Sequence, residues 1–238
     1  MSIILVPSFA HAWGPLTHLY LGHQVLDAGA AIIPAGVYSI IKRYAKDFLY
    51  GNLSADVIVG RKYQEEDKNT HSWDIGWRLL EESETDRQKA FAYGYLSHLS
   101  ADTFVHNLER SRIPFSHSII EIKAESLVDK KYRRKLKHLD EGIQKMHDPV
   151  LEEMLERVLF SFKTNKKIFK GFLFISRFPN CKHVSKFINN RFPNEIPVAD
   201  IYKFKEDSLN NIFEVLTNGE DSHVLKDHPL GRHLKRAS

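Results

Sequence analysis

The chain has 238 residues, enough for one domain with a sizeable core. Its 42% hydrophobic and 27% charged residues, of both signs, describe a globular protein and exclude disordered, collagen-like and repeat classes. A net charge of +4 does not by itself demand a polyanionic partner, the single cysteine excludes an intramolecular disulfide framework, and no apolar run approaches the roughly 20 residues that span a bilayer.

Residues 1–12 are an apolar run ending in Ala10-His11-Ala12, the small-x-small pattern read by signal peptidase. The expectation is the remnant of an export signal, with cleavage leaving Trp13 as the mature terminus and the protein secreted or periplasmic. A short apolar segment packed on the domain is the other reading.

From Trp13 the pattern becomes helical: His18, Leu19, Leu21, Val25 and Leu26 recur near the helical period, Thr17 or a neighbour can cap, and Gly29 stops the helix. A second helix is predicted from Pro34 to Tyr50, followed by a loop over Asn52–Asp56. A charged stretch from Arg61 to Asn69 leads to His71, and helices are predicted over Ile75–Leu80 and Arg87–Asn107. Gly94 would let a neighbouring helix approach closely.

Within the last of these, His98, Asp102 and His106 are spaced by four. Residues four apart on a helix are offset by about 40°, so the three line one narrow stripe. His117 and Glu121 repeat the spacing after a break at Arg112-Ile113-Pro114. Imidazoles and carboxylates gathered in this way are costly to bury unless a cation binds them, and zinc suits the ligand set.

Helix continues to about Lys137, another opens at Asp148-Pro149, and the last spans Val198–Leu216. Strand signals are scarce, so the class is all-α. Residues 13–216 form one domain, with the metal site in 13–128 and a helical extension in 129–216, and 217–238 are a polar tail. His138, His147, His223, His228 and His233 are expected to be solvated, and Cys181 at least half-buried. Ser72, Asp74, Ser97 and Ser100 could fix imidazole tautomers or lie at the surface.

Lys130 to Lys137 holds six basic residues, and Phe160 to Phe192 holds eight Lys/Arg, eight Phe and no acid. Such a stretch suits an anionic membrane interface. Equally, the phenylalanines at 162, 169 and 172 have the spacing of a core-facing helix stripe.

Taken together, these positions resemble the zinc-dependent phospholipase C family, all-helical trinuclear zinc phosphodiesterases that include single-strand nucleases. The resemblance runs from about Trp13 to Val128 and implies a single-domain helical bundle holding two or three zinc ions. It assigns Asp56, His71, His98 and Asp102 to one zinc, and His106, His117 and Glu121 to another. Trp13, through its α-amino and carbonyl groups, and His18 belong to a third, with Asp102 bridging. The short spacing between Asp102 and His106 is similar to that in the catalytic domain of glycosylphosphatidylinositol-specific phospholipase D and its bacterial relatives.

What the resemblance implies is hydrolysis of phospholipid by a metal-activated water, with Asp56 either a ligand or a catalytic carboxylate orienting that water. A nuclease acting on nucleic acid is the alternative enzyme, weakly favoured by the charge. A module whose zinc only holds the fold is the non-enzymatic one. No obligate protein partner is implied.

Overall fold

The computed structural model describes residues 13–58, 69–108, 116–136, 141–155, 160–176 and 197–231. Among these residues every regular element is helical: α1 (Pro15–Ala28), α2 (Ala35–Arg43), α3 (Ala45–Ser54), α4 (Trp73–Glu81), α5 (Asp86–Leu108), α6 (Ser116–Ser126), α7 (Lys130–Lys135), α8 (Glu141–Met154), α9 (Phe162–Ile175) and α10 (Val198–Asn218). The fold is all-α.

α5 is the axis of the molecule, packed by α3, α4 and α10, with α1 lying on α3. It is buried on nearly every side: Ala90, Phe91, Tyr95, Leu96, Leu99, Ala101 and Val105 share the interior with Ser97, His98, Ser100, Asp102 and Thr103. Buried hydroxyls need partners, and here the helix supplies its own. Ser97, Ser100 and Thr103 donate to the carbonyls of Tyr93, Leu96 and Leu99, each four residues back. Ser97 and Ser100, read from sequence as surface residues or as groups aiming imidazoles, are buried with their hydroxyls occupied within α5, and Ser72, also buried, caps α4 by accepting from Asp74 N–H at 3.2 Å.

α3 and α5 cross in backbone contact through a pair of glycines. A Cβ on Gly51 would lie 2.0 Å from Phe91 O, and one on Gly94 2.0 Å from Phe48 O. Nothing larger than hydrogen fits either position, and the close approach anticipated for Gly94 is a reciprocal one.

Several boundaries differ from the sequence expectation. The helix predicted from Pro34 to Tyr50 is two helices, broken at Tyr44, whose φ of −113° and ψ of 46° are not helical. The loop expected over Asn52–Asp56 is instead the end of α3 and a 3₁₀ turn, Ala55–Val57. Leu53, Ala55 and Val57 are buried there, and that burial outweighs the local turn preference of Asn, Ser and Asp. The helix expected from Glu121 to Lys137 divides at Asp129, which caps α7 by accepting from Lys131 N–H at 2.7 Å.

Pro149 does not open a helix but sits inside α8. The face of α8 carrying Ile143, His147, Leu151 and Met154 is buried, and this burial offsets the lost backbone hydrogen bond. His147, expected to be solvated, is buried. Its Nε2 lies 2.8 Å from Asp47 Oδ1, which Arg87 also holds, and its ring stacks on Phe91 with centroids 4.3 Å apart. Beside it, Asp148 accepts from Tyr50 and Lys166.

The segment expected to be a polar tail folds back on the domain as far as Gly231. Asp227 O accepts the Trp73 indole N–H at 2.9 Å, His228 is buried, and the Cβ position of Gly231 lies 3.1 Å from His106 Cβ. His223 is exposed on Glu214. In α9, Phe162, Phe169 and Leu173 are core while Phe174, like Phe160 just before the helix, is exposed. No described helix is long and apolar enough to cross a membrane. Residues 1–12, Cys181, His138, His233 and the stretch 177–192 lie outside the described residues.

Candidate metal centre

Five side chains converge between α1, the 3₁₀ turn after α3, the start of α4 and the middle of α5. His18, His71, His98 and Asp102 are fully buried, while Asp56 keeps 22% of its side chain exposed. Asp102 lies between the others. Its Oδ1 is 3.1 Å from His18 Nε2 and accepts Trp13 N–H at 3.2 Å, whereas its Oδ2 is 3.1 Å from His71 Nε2 and 3.3 Å from His98 Nε2. Asp56 Oδ1 stands 3.5 Å from His71 Nε2 and 3.9 Å from His98 Nε2. The two carboxylate oxygens of Asp102 thus address two different groups of ligands.

The imidazoles are aimed by groups that carry no obvious sequence signal. His98 Nδ1 donates to the carbonyl of Asn52 at 3.0 Å, so the lone pair of that ring lies on Nε2, facing the centre. Thr70 Oγ1 is 3.0 Å from His71 Nδ1, and Asn69 Oδ1 accepts His71 N–H at 2.9 Å. The carbonyl of Asn52 comes from the same α3 segment that approaches α5 through Gly51 and Gly94, so helix packing and imidazole orientation are one geometric fact.

This donor set fits a divalent cation. His71 Nε2 and His98 Nε2 are 3.1 Å apart and both face Asp102 Oδ2. Ligands at about 2.0–2.1 Å in a tetrahedral shell lie roughly 3.3 Å from one another. Both ring nitrogens of His18 are buried, Nε2 facing only Asp102 and Nδ1 without a hydrogen-bond partner, and the ring stacks on His98 with centroids 3.7 Å apart. Two sets satisfy the proximity that a shared ion requires: His18, Asp56 and His98, and His71, His98 and Asp102, with ligand atoms within 4.8 Å of one another in each.

Electrostatics point the same way. Burial raises the Asp102 pKa, but His98 and His18 overcome it and hold the carboxyl well below the usual range. Burial, followed by the charge of His98, lowers His18, which keeps that imidazole neutral and able to ligate. For His98 burial pulls downward, yet Asp102 and Asp56 raise it overall. A positive charge is favoured at the centre of the cluster.

His106 is buried on α5 beneath Gly231, and Glu121 is half-buried on α6. Neither joins the two sets found among the described residues, and the side chain of His117 lies outside those described. His18, which the resemblance groups with Trp13 and the bridging Asp102, lies 3.1 Å from Asp102 Oδ1 and also falls in a set with Asp56 and His98, its ring stacking on that of His98.

Thr70 gives a direct test of the aiming. Thr70→Val keeps the shape and removes the oxygen beside His71 Nδ1. Zinc affinity is expected to fall roughly 10–100-fold with the circular dichroism unchanged, and Thr70→Ser should restore it. A chelator competition titration measures both.

A helical bundle with a buried His/Asp cluster drawn from α1, the turns after α3 and before α4, and α5 defines an all-α protein built round a candidate metal centre. Residues 17–167 match the family model described as zinc dependent phospholipase C, which is more than half of the chain. The chain belongs to the zinc-dependent phospholipase C family, a family of hydrolases. No curated protein and no solved structure matches it.

Proposed function

We propose that the protein is a zinc-dependent phosphodiesterase of the phospholipase C type that hydrolyses phospholipid on the glycerol side of phosphate. The observation that carries this reading is the division of the Asp102 oxygens between His18 with the Trp13 nitrogen and His71 with His98. One carboxylate so placed can bridge two cations. Zinc bound there supplies Lewis-acid polarisation of phosphoryl oxygens and acidification of a water.

The residues of the chain do the rest. His18, His71, His98 and Asp102, all buried, would hold the ions, while Asp56, the part-exposed member, is the carboxylate that can meet solvent and substrate. It orients the attacking water or takes its proton. His106, His117 and Glu121 would complete a further ion's ligands from α5 and α6. If residues 1–12 are removed on export, the α-amino group of Trp13 would stand where its nitrogen now meets Asp102, and secretion would complete the centre.

Purified protein is expected to carry at least two zinc equivalents and to lose activity and thermal stability on chelation. Activity on a panel of phospholipids should exceed that on single-stranded nucleic acid. The opposite order would favour a nuclease, and less than one zinc after reconstitution would sink the reading. Protein beginning at Trp13 is expected to bind one zinc more than protein retaining residues 1–12. Equal zinc in both forms would remove the terminal-amine ligand. The exposed Phe160 and Phe174 and the neighbouring lysines would contact an anionic lipid surface, and turnover on vesicles compared with a soluble phosphodiester reads this.

A further inference from the structure

We propose that Glu125 of α6, together with Lys205 and Ser208 of α10, forms a seat that positions the start of α1 so that Trp13 and His18 address Asp102. The proposal rests on the reading that Asp102 bridges two ions, and deepens it by naming what sets one half of that bridge.

α1 begins at Gly14 without any side-chain cap of its own, and Thr17 N–H is held within the helix only by the Gly14 carbonyl, at 3.0 Å. Glu125, four residues beyond Glu121 on α6, supplies the side-chain cap from another helix. Its buried Oε1 takes Thr17 N–H at 2.7 Å, a shorter bond than the one to Gly14 O at 3.0 Å. The fit is close enough to dictate the neighbouring residue, because a Cβ on Gly14 would lie 2.7 Å from Glu125 Cδ.

α10 closes the seat from the other side. Ser208 Oγ accepts the Trp13 indole N–H at 2.8 Å and lies 3.4 Å from Ala101 O, one residue before Asp102. Lys205, one helical turn earlier, donates to Ala124 O at 2.8 Å, beside Glu125, and its ammonium lies over the Tyr20 ring of α1. Arg133 holds the carbonyl of Glu125 at 2.8 Å. Trp13 and His18 are therefore fixed relative to Asp102 by contacts to α6 and α10, and Lys205 and Ser208 fall outside the residues that match the family, 17–167. This gives the helical extension a role in the metal centre: its residues are positioning residues and touch no reacting atom.

The test uses full-length protein with zinc added, read by chelator titration, by kcat and KM separately, and by exchange of the Thr17 amide. Glu125→Ala should weaken the most loosely held zinc about tenfold or more, lower kcat more than it raises KM, and speed Thr17 exchange. Glu125→Gln keeps an oxygen for Thr17 N–H and should restore all three. Ser208→Ala, which leaves the α1 cap intact, should shift Trp13 fluorescence and weaken the same zinc, so the proposal stays testable even where Glu125→Ala fails to fold. Wild-type zinc affinity and kcat in both Glu125→Ala and Ser208→Ala, or a Gln variant as impaired as the Ala variant, would overturn the seat alone. Wild-type protein that binds no zinc would overturn the metal reading and the seat with it.

Discussion

Asp102→Asn is expected to lower kcat/KM by more than about a hundredfold and to remove at least one zinc equivalent. A hundredfold is the upper range for losing a group that merely orients a ligand, and Asp102 stands closer to the chemistry than that. Its oxygens are 3.1 Å from His18, 3.1 Å from His71 and 3.3 Å from His98, and a neutral amide can neither offset two cations nor present lone pairs on both sides. The amide NH₂ would face either the His18 group or the His71/His98 pair, at nitrogens required as acceptors by the metal. Zinc analysis and steady-state kinetics on the same preparation decide it, and an active variant with full zinc would show that Asp102 does not bridge.

The metal-free protein adds a pH signature to that variant. His98 and His18 hold the folded Asp102 carboxyl well below its usual range. A depressed carboxyl contributes stability that is present above its ordinary pKa and is lost as pH falls through the lower folded value. Metal-free wild-type protein should therefore lose stability below about pH 4 more steeply than metal-free Asp102→Asn, as denaturant melts across that window would show.

Gly94→Ala is the second change with a large expected effect, this time on the fold. The added methyl meets Phe48 O at 2.0 Å, a backbone atom that cannot rotate away, so α3 and α5 must separate. Alanine is intrinsically the better helix former by about 1 kcal/mol, but overpacking at a buried crossing costs roughly 3 kcal/mol. For a chain of this size the midpoint should then fall by roughly 4–8 °C after the propensity gain is deducted. Activity should fall as well, because the displaced helix carries the Asn52 carbonyl that aims His98 and leads to Asp56. A thermal melt and a kcat measurement check both parts. An unchanged midpoint would mean that the helices do not meet at this glycine.

What residue order encodes directly is local. The four-residue spacing of His98 and Asp102 puts both on one face of α5 whatever surrounds it, and the helical periods around Val25 and over Val198–Leu216 yield α1 and α10 nearly to their ends. The ordered series of His and Asp was legible for the same reason: residue type and order require no coordinates. How those residues meet is set by long-range packing. The contact between Trp13 N and Asp102 spans 89 residues, and no period in the chain encodes it. The orientation of His98 depends on the backbone carbonyl of Asn52, a group every residue carries whatever its side chain, so no letter of the sequence announces the role. Asp56 sits on a 3₁₀ turn rather than a loop because burial of its neighbours against α5 overrides local preference. Glu125 shows the same limit: read in sequence it is one more charge on a helix, and only the packing of α6 on the uncapped start of α1 turns it into an acceptor for Thr17.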